Sequence, residues 1–355
     1  MAKAKYQMIA DDIRSRIVLK EYPIDSVIPS EKELQNEFNV SRHTIRQALG
    51  LLINEGLLRS EKGSGTYVQG TQKEVSKNKT IGVITTYVSD YIFPSIIRGI
   101  EQSLREEGYS LLLSSTNNDV EQEKKCLELM IERGVDGLII EPTKSNQYNP
   151  NLSYYLSLKK MGIPIVMINA YYEEFDFPYI AVDDVASGFL ATSALIDAGH
   201  TNNLLITKMD DIQGKLRMKG FLKAHDENHL TTEAENILTF STETSQEIVK
   251  KACLILEKHP DITGVVGYND EICYDLLQEI QESNQTLAHR LSIVGQDDSQ
   301  LSLLTTPKLT TISHPKEKLG EDAAKWMISA ISTHSQPDTI VYKPELVLRD
   351  SIKPA

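Results

Sequence analysis

Cysteine is scarce in this 355-residue chain, which has only three. Cys126, Cys253 and Cys273 stand far apart and none sits in a C-x-x-C pair, so neither a disulfide framework nor a zinc site is expected; the thiols read as reduced and mostly buried. Long apolar runs are also missing. No stretch approaches the roughly 20 residues needed to cross a bilayer, and Met1-Ala2-Lys3-Ala4-Lys5-Tyr6 lacks the apolar core of a signal peptide, so a cytoplasmic protein with no membrane partner is expected. The signatures of common enzymes are absent too. There is no Walker A loop, no H-E-x-x-H and no G-x-S-x-G, which argues against an enzyme and against a resident cofactor. His225 and His229 are four apart, but two histidines without a third ligand do not complete a zinc site; they read as solvated residues near a helix end, and no metal is expected.

Positive charge is the last deficit, with a formal net charge of −13. Its distribution matters more than its size. Residues 1–70 carry ten Lys/Arg against nine Asp/Glu and residues 71–79 carry three against one, so the whole acidic excess falls on residues 80–355. An acidic body on a near-neutral head repels DNA except where the head's own cations gather, which favours specific over indiscriminate binding. A chain of this length and composition, 40% apolar and 25% charged, has material for two or three units.

What the chain does have begins with the head. Tyr6, Ile9, Ala10, Ile13 and Ile17 fall at helical spacing, giving a first helix that ends before Tyr22-Pro23. Ser30 followed by Glu33 is a capping box opening a second helix, with Leu34 and Phe38 on its core face. Asn39-Val40 makes a turn. Ser41 then caps a third helix whose expected buried stripe is Ile45, Leu49, Leu52 and Ile53, closed by Gly56. Two short helices joined this way form a helix-turn-helix, in which the first turn of the second helix reaches base edges in the major groove. Arg42 and Arg46 share one face of that helix, and Ser41, His43 and Thr44 surround them with hydrogen-bonding groups suited to phosphates or bases. Leu57-Leu58-Arg59 and Thr66-Tyr67-Val68 read as two strands around Glu61-Lys62-Gly63-Ser64-Gly65, a wing whose small tip can approach a sugar-phosphate backbone.

Pro29-Ser30-Glu31, Ser41-Arg42-x-Thr44-x-Arg46 and Gly63-x-Gly65-Thr66-Tyr67-Val68 together resemble the winged helix-turn-helix of the GntR family of bacterial regulators. The resemblance implies that Arg42, Thr44 and Arg46 contact DNA, that Glu31 starts the helix abutting the operator, and that Lys62 and Gly63 belong to the wing. The candidate DNA-contact set is Lys5, Glu31, Ser41, Arg42, His43, Thr44, Arg46, Lys62 and Gly63.

Residues 71–79 are polar, without a buried period, and read as a flexible linker. From Thr80 short β-branched runs alternate with amphipathic stretches such as Phe93–Glu106, Val120–Glu132, Val185–Asp197 and Asp270–Gln281. That alternation predicts two parallel sheets covered on both faces, and ligands of such sheets bind beyond the carboxyl ends of the strands. The residues there are polar and aromatic: Tyr87, Asp90, Tyr91 and Phe93 after the first strand, Glu141 after the third, Asn169 after the fourth, then Asn269, Asp297 and His314, with Arg217 as a multidentate donor. A sugar needs carboxylates, amides and arginine around its hydroxyl edge and an aromatic plate over its C–H face, and this set supplies both. Each residue alone has a plainer reading: Asp183-Asp184 and Asp297-Asp298 as helix caps, Tyr91 as core.

Gly137–Glu141, Val182-Asp183-Asp184, Ala198-Gly199-His200, Arg217-x-x-Gly220-Phe221, Tyr268–Glu271, Ser292–Asp298 and Leu309–Ile312 resemble the LacI/GalR effector domain, itself similar to periplasmic sugar-binding proteins. The resemblance maps inducer contacts onto Glu141, Asn169, Arg217, Asn269 and Asp297. One departure is Gln296, where that family commonly has an aromatic residue. The pairing of the two halves, with Thr85–Ser95 and Glu141–Ser145, resembles the arabinose-responsive repressors of Bacillus and relatives, which implies L-arabinose as effector; the residue chemistry alone implies only a small neutral polyol or monosaccharide.

The expected architecture is thus a winged helix-turn-helix head (α+β, residues 1–70), a linker, and a two-lobed α/β periplasmic-binding-protein-like body (80–355). The first lobe is expected over about 80–182 and 313–335 and the second over about 183–312 and 336–355, with crossings near Val182–Asp184, Leu309–His314 and again before Ile340. The partners expected are double-stranded operator DNA, a sugar effector and a second copy of the chain, since one head covers a single half-site. A regulator of another monosaccharide, an activator, and a sugar-binding transport protein remain as alternatives; the last has no use for a DNA-reading head.

Overall fold

The computed structural model describes residues 5–19, 21–61, 64–69, 79–283 and 285–355. The expected linker, apart from Lys79, lies outside them, as do Lys62 and Gly63 at the wing tip. The chain divides into two compact units, Met1–Asn78 and Lys79–Ala355.

The head contains helices α1 (Lys5–Val18), α2 (Glu31–Phe38) and α3 (Arg42–Asn54) and strands β1 (Leu58–Glu61) and β2 (Gly65–Val68). The strands pair antiparallel from Leu58–Val68 to Glu61–Gly65. Ser30 Oγ accepts from Glu33 N, and the Glu33 carboxylate accepts from Ser30 N at 2.7 Å, so two orphan donors of α2 are satisfied reciprocally. Ile9, Ile13, Leu34, Ile45, Leu49, Leu52, Leu58 and Val68 make one core. Ile53, expected within the buried stripe of α3, is 36% exposed, and Ala48 is buried instead. The helical repeat carries the stripe through 45, 48, 49 and 52 and turns position 53 outward.

The body holds two six-stranded sheets. The first runs in the order β13 (Ile340–Tyr342), β7 (Tyr179–Val182), β6 (Ile165–Ile168), β5 (Gly137–Ile140), β3 (Thr80–Thr85), β4 (Ser110–Ser115), all parallel. The second runs β14 (Leu346–Val347), β12 (Thr310–Ser313), β11 (Ser292–Asp297), β10 (Gly264–Val266), β8 (Asn203–Lys208), β9 (Ile237–Phe240), parallel except for the antiparallel edge pair β12–β14. Helices α4 (Phe93–Glu106), α5 (Val120–Arg133), α6 (Leu152–Lys160) and α13 (Lys316–Thr333) belong with the first sheet. Helices α7 (Asp184–Asp197), α8 (Ile212–Glu227), α9 (Ser245–Lys258), α10 (Asp270–Ser283), α11 (Gln285–Arg290) and α12 (Leu301–Leu304) belong with the second.

The chain passes between lobes after β7 and after β12, as the sequence suggests. The third crossing is a correction. β13 hydrogen-bonds to β7 in the first sheet, so residues 340–342 belong to the first lobe and the chain crosses between Tyr342 and Leu346, not before Ile340. Strands β9, β13 and β14 do not announce themselves in the sequence, because short edge strands are not buried on both faces and carry no continuous apolar run. His225 is also corrected: it is 2% exposed rather than solvated, its ring centroid 4.3 Å from that of Phe221 and its Nδ1 bonded to the Phe221 carbonyl at 3.0 Å. No helix among the described residues is long and apolar enough to cross a membrane.

One crossing of helices positions the site. A Cβ at Gly188 of α7 would collide with the carbonyl of Arg217 on α8, and a Cβ at Gly220 would collide with the carbonyl of Val185. Two glycines therefore let α7 and α8 approach backbone to backbone, which brings the Arg217 side chain within reach of Asp184 at the start of α7.

Candidate DNA-reading surface and ligand cavity

On the head, Ser41 caps α3 by accepting from Thr44 N at 3.3 Å, which leaves the first turn of that helix fully formed and exposed. Arg42 and Arg46 project from it, 67% and 65% exposed, and both donate through Nε to the carboxylate of Glu31, at 2.6 and 3.1 Å. Glu31 thus joins the two helices of the motif through its side chain. The hydrogen bond from Arg42 is the main cause that holds the Glu31 carboxyl below its ordinary pKa. A guanidinium bonded through Nε retains its terminal NH₂ groups as donors, the geometry with which arginine meets guanine O6 and N7. Lys5 and His43 are exposed at the starts of α1 and α3.

In the body, the carboxyl ends of the two sheets enclose a cavity of about 320 Å³. The first lobe lines it with Tyr87, Asp90, Tyr91, Phe93 and Glu141 and the second with Arg217, Asn269 and Asp297, eight of the ten residues expected there. Asn169 and His314 do not line it; they stand one layer behind. Asn169 Nδ2 donates to Glu141 Oε1 at 2.9 Å and its Oδ1 pairs with His314 Nε2 at 3.2 Å, so both support the wall carboxylate from behind. Burial pushes the His314 pKa down to about 4, which keeps the imidazole neutral.

Glu141 is 6% exposed and accepts from Thr86 N at 2.9 Å and from the Thr86 hydroxyl. Desolvation raises its pKa, opposed by these bonds and the one from Asn169. Arg217, 5% exposed, spreads over the second-lobe wall: Nε to Asp184 Oδ1 at 2.8 Å, Nη1 to the Tyr268 carbonyl at 2.6 Å, Nη2 to Asp297 Oδ1 at 3.3 Å. Burial alone would lower its pKa, but attraction to Asp184 and Asp297 outweighs that and the group is held more firmly charged than usual. Asp184, which the sequence allowed as a simple cap, is the arginine's partner; Asp183 is the cap, accepting from Ala186 N at 2.9 Å.

Sequence reasoning missed Lys208, Asp211, Phe240 and Tyr268, all of which line the cavity. Lys208 pairs with Asp211 at 2.8 Å and Tyr268 donates to the same carboxylate at 2.9 Å. The signal is in the sequence, since Lys208 ends β8, Asp211 follows it and Tyr268 follows β10, as the strand-end rule requires; Phe240 is hidden with β9, which it ends. Phe240 and Tyr268 pack edge to face at 5.7 Å, so the second lobe presents aromatic rings although Gln296 is buried away from the cavity.

Around the rim the lobes are bonded to one another. Asn118 Nδ2 donates to Thr242 Oγ1 at 2.7 Å, Asn146 N to the Asp210 carbonyl at 3.1 Å, and Ile212 N to Ser145 Oγ at 2.9 Å. Ion pairs Lys144–Glu243 and Lys215–Glu173, the latter at 3.1 Å, also span the cleft. The cleft is closed.

Comparison with known proteins follows the same division. Residues 5–68 match bacterial regulatory proteins of the gntR family, and residues 192–352 match the periplasmic binding protein-like domain. The chain is 46% identical to the arabinose metabolism transcriptional repressor of Geobacillus stearothermophilus over 98% of both chains. It is 42% identical to the protein of the same name in Halalkalibacterium halodurans, over 98% of this chain and 96% of that one. Among solved structures, a LacI family transcriptional regulator from Enterococcus faecium with bound ribose superposes with a TM-score of 0.68 at 25% identity, covering 78% of this chain and 99% of that one. The chain belongs to the family of arabinose metabolism transcriptional repressors, built from a gntR-type winged helix-turn-helix and a two-lobed periplasmic binding protein-like domain.

Proposed function

We propose that the chain is a sequence-specific DNA-binding repressor of sugar-utilisation genes that leaves its operator when L-arabinose binds the body, acting in the cytoplasm as a homodimer and catalysing no reaction. The observation that carries this reading is the cavity between the lobes. Its 320 Å³ lies at the small end of ligand pockets, which run on the order of 300–1,000 Å³. It combines rings from both lobes with Glu141, Arg217, Asn269 and Asp297, the donors and acceptors that a ring of hydroxyls requires. Five carboxylates (Asp90, Glu141, Asp211, Glu271, Asp297) against Lys208 and Arg217 favour a neutral ligand over a phosphorylated or acidic one. The names of the relatives then favour arabinose among neutral sugars.

Arg42 and Arg46 are the proposed base-reading pair, with Thr44 and Ser41 toward phosphates. A second copy supplies the second half-site. If sugar favours a body conformation in which the paired heads no longer fit the half-site spacing, it shifts the population off DNA, and by linkage DNA weakens sugar binding by the same factor. Operator titration at fixed salt, with and without saturating L-arabinose, tests this: release on adding sugar is expected, and an unchanged affinity overturns it. A thermal-shift screen of pentoses and hexoses identifies the effector, because a bound ligand raises stability by RT ln(1 + [L]/Kd).

A further inference from the structure

Tyr91 lines the cavity, yet its hydroxyl is directed elsewhere. The residue sits in the first lobe between β3 and α4, in a left-handed conformation (φ 57°) uncommon for a bulky side chain. Its phenolic oxygen lies 2.9 Å from Asp297 Oδ2, 3.0 Å from the Gln296 carbonyl and 3.1 Å from Asp270 N, all in the second lobe. A phenol has one proton to give and lone pairs to accept with. With the proton donated to Asp297 or Gln296 and a lone pair taken by Asp270 N, the hydroxyl is committed to the opposite lobe in the closed cleft, while the ring lines the cavity. Asp297 is the beneficiary. Its Oδ1 is held by Arg217 from within the second lobe and its Oδ2 by Tyr91 from the first, while Lys316 Nζ binds its backbone carbonyl at 2.7 Å.

We infer that Tyr91 is a positioning residue: its hydroxyl reaches across the cleft to orient the Asp297 carboxylate, so the ligand site is complete only while the lobes are closed. This rests on the cavity being the sugar site proposed above. Opening the cleft withdraws the hydroxyl, frees one oxygen of Asp297 and degrades the site. Sugar affinity and closure are thereby linked through one hydroxyl group.

Tyr91→Phe in the full chain removes that group and nothing else in volume. Calorimetric titration with L-arabinose of wild type, Tyr91→Phe, Asp297→Asn and the double variant is paired with small-angle scattering of each without sugar. The expected result is arabinose binding weakened about tenfold or more by Tyr91→Phe, a charge-assisted hydrogen bond lost. The double variant should be no weaker than Asp297→Asn, because both changes break the same bond. A larger radius of gyration is expected for sugar-free Tyr91→Phe. Wild-type affinity in Tyr91→Phe overturns the inference, as does a weakening additive with Asp297→Asn and an unchanged scattering profile, which means a direct sugar contact. Should Tyr91→Phe fail to fold, Asp297→Asn decides by calorimetry: it removes the carboxylate that the hydroxyl orients, and wild-type arabinose affinity in it overturns the inference. If wild type binds no sugar, the functional reading fails, and scattering still judges the strut.

Discussion

Arg42 and Arg46 of the head are 67% and 65% exposed and neighbour each other on one helical turn, whereas Glu141 and Arg217 of the body are 6% and 5% exposed and come from different lobes. The contrast fits the two ligands proposed for them. DNA is a surface reached from outside, so side chains that read it must stand in solvent; a small polar molecule must be engulfed, so side chains that hold it are buried in advance. The ion pairs differ in the same sense. Exposed pairs such as Glu31 with the two arginines contribute about 0–1 kcal/mol and are readily exchanged for phosphates or bases. Arg217 with Asp184 and Asp297 is buried, and removing one member strands the others without water.

Mutations can break this contrast. The largest effect is expected from Arg217→Ala, which leaves Asp184 and Asp297 uncompensated; loss of a buried partner costs about 3–5 kcal/mol, visible as a lowered unfolding midpoint of the body together with lost sugar binding in calorimetry. If Arg217→Ala keeps both, the buried network does not hold the site. Next is Arg46→Ala, expected to cost about 1–3 kcal/mol of operator affinity while sugar titration and thermal stability stay as in wild type. A stability loss comparable to that of Arg217→Ala would mean that the head's arginines are structural.

A third test uses pH. Asp270, buried with Oδ1 accepting from Thr311 and Oδ2 from Ser299 N, has its pKa raised to about 7, first by desolvation and then by Asp297. An acid whose folded pKa exceeds its unfolded one is protonated in the folded state first, so stability is greatest below the unfolded value and falls as pH rises. Relative to Asp270→Asn, wild type should therefore lose stability between about pH 4 and about pH 7, the span from the ordinary Asp value to the folded one; parallel curves for the two proteins would refute the assignment. The smallest effect is that of Ser30→Ala, which removes the capping box of α2 and should lower head stability by about 1 kcal/mol, measurable by denaturation of the full chain. An unchanged unfolding curve would show that tertiary packing alone holds α2.

How much was legible differs between the two units for the same reason. Capping, helical period and turn geometry act over a few residues, so Ser30, Ser41, Leu34 and Ile45 could be placed from spacing alone; Ile53 went wrong by one step at the end of a stripe. In the body the strand-end rule reaches seven of the eight cavity residues, Arg217 inside α8 being the exception, and at β8 the same rule points to Lys208 and Asp211. It could not separate Asn169 and His314, which sit at strand ends or crossings yet stand behind the wall, because depth from a cavity depends on the packing of both lobes. β9 and β13 were missed because an edge strand takes its stability from one neighbour and leaves little pattern in its own sequence.

The order of the helices and of the strands buried on both faces, the caps, and the chemical kinds of side chain at the strand ends were determined by the sequence itself, since they depend on local backbone preference and on which faces are apolar. Only the tertiary structure decided that Glu31 ties both arginines, that Gly188 brings Arg217 to Asp184, and that Tyr91 crosses the cleft to Asp297. Those arrangements join residues remote in the chain, and their distances are set by how whole elements pack against one another.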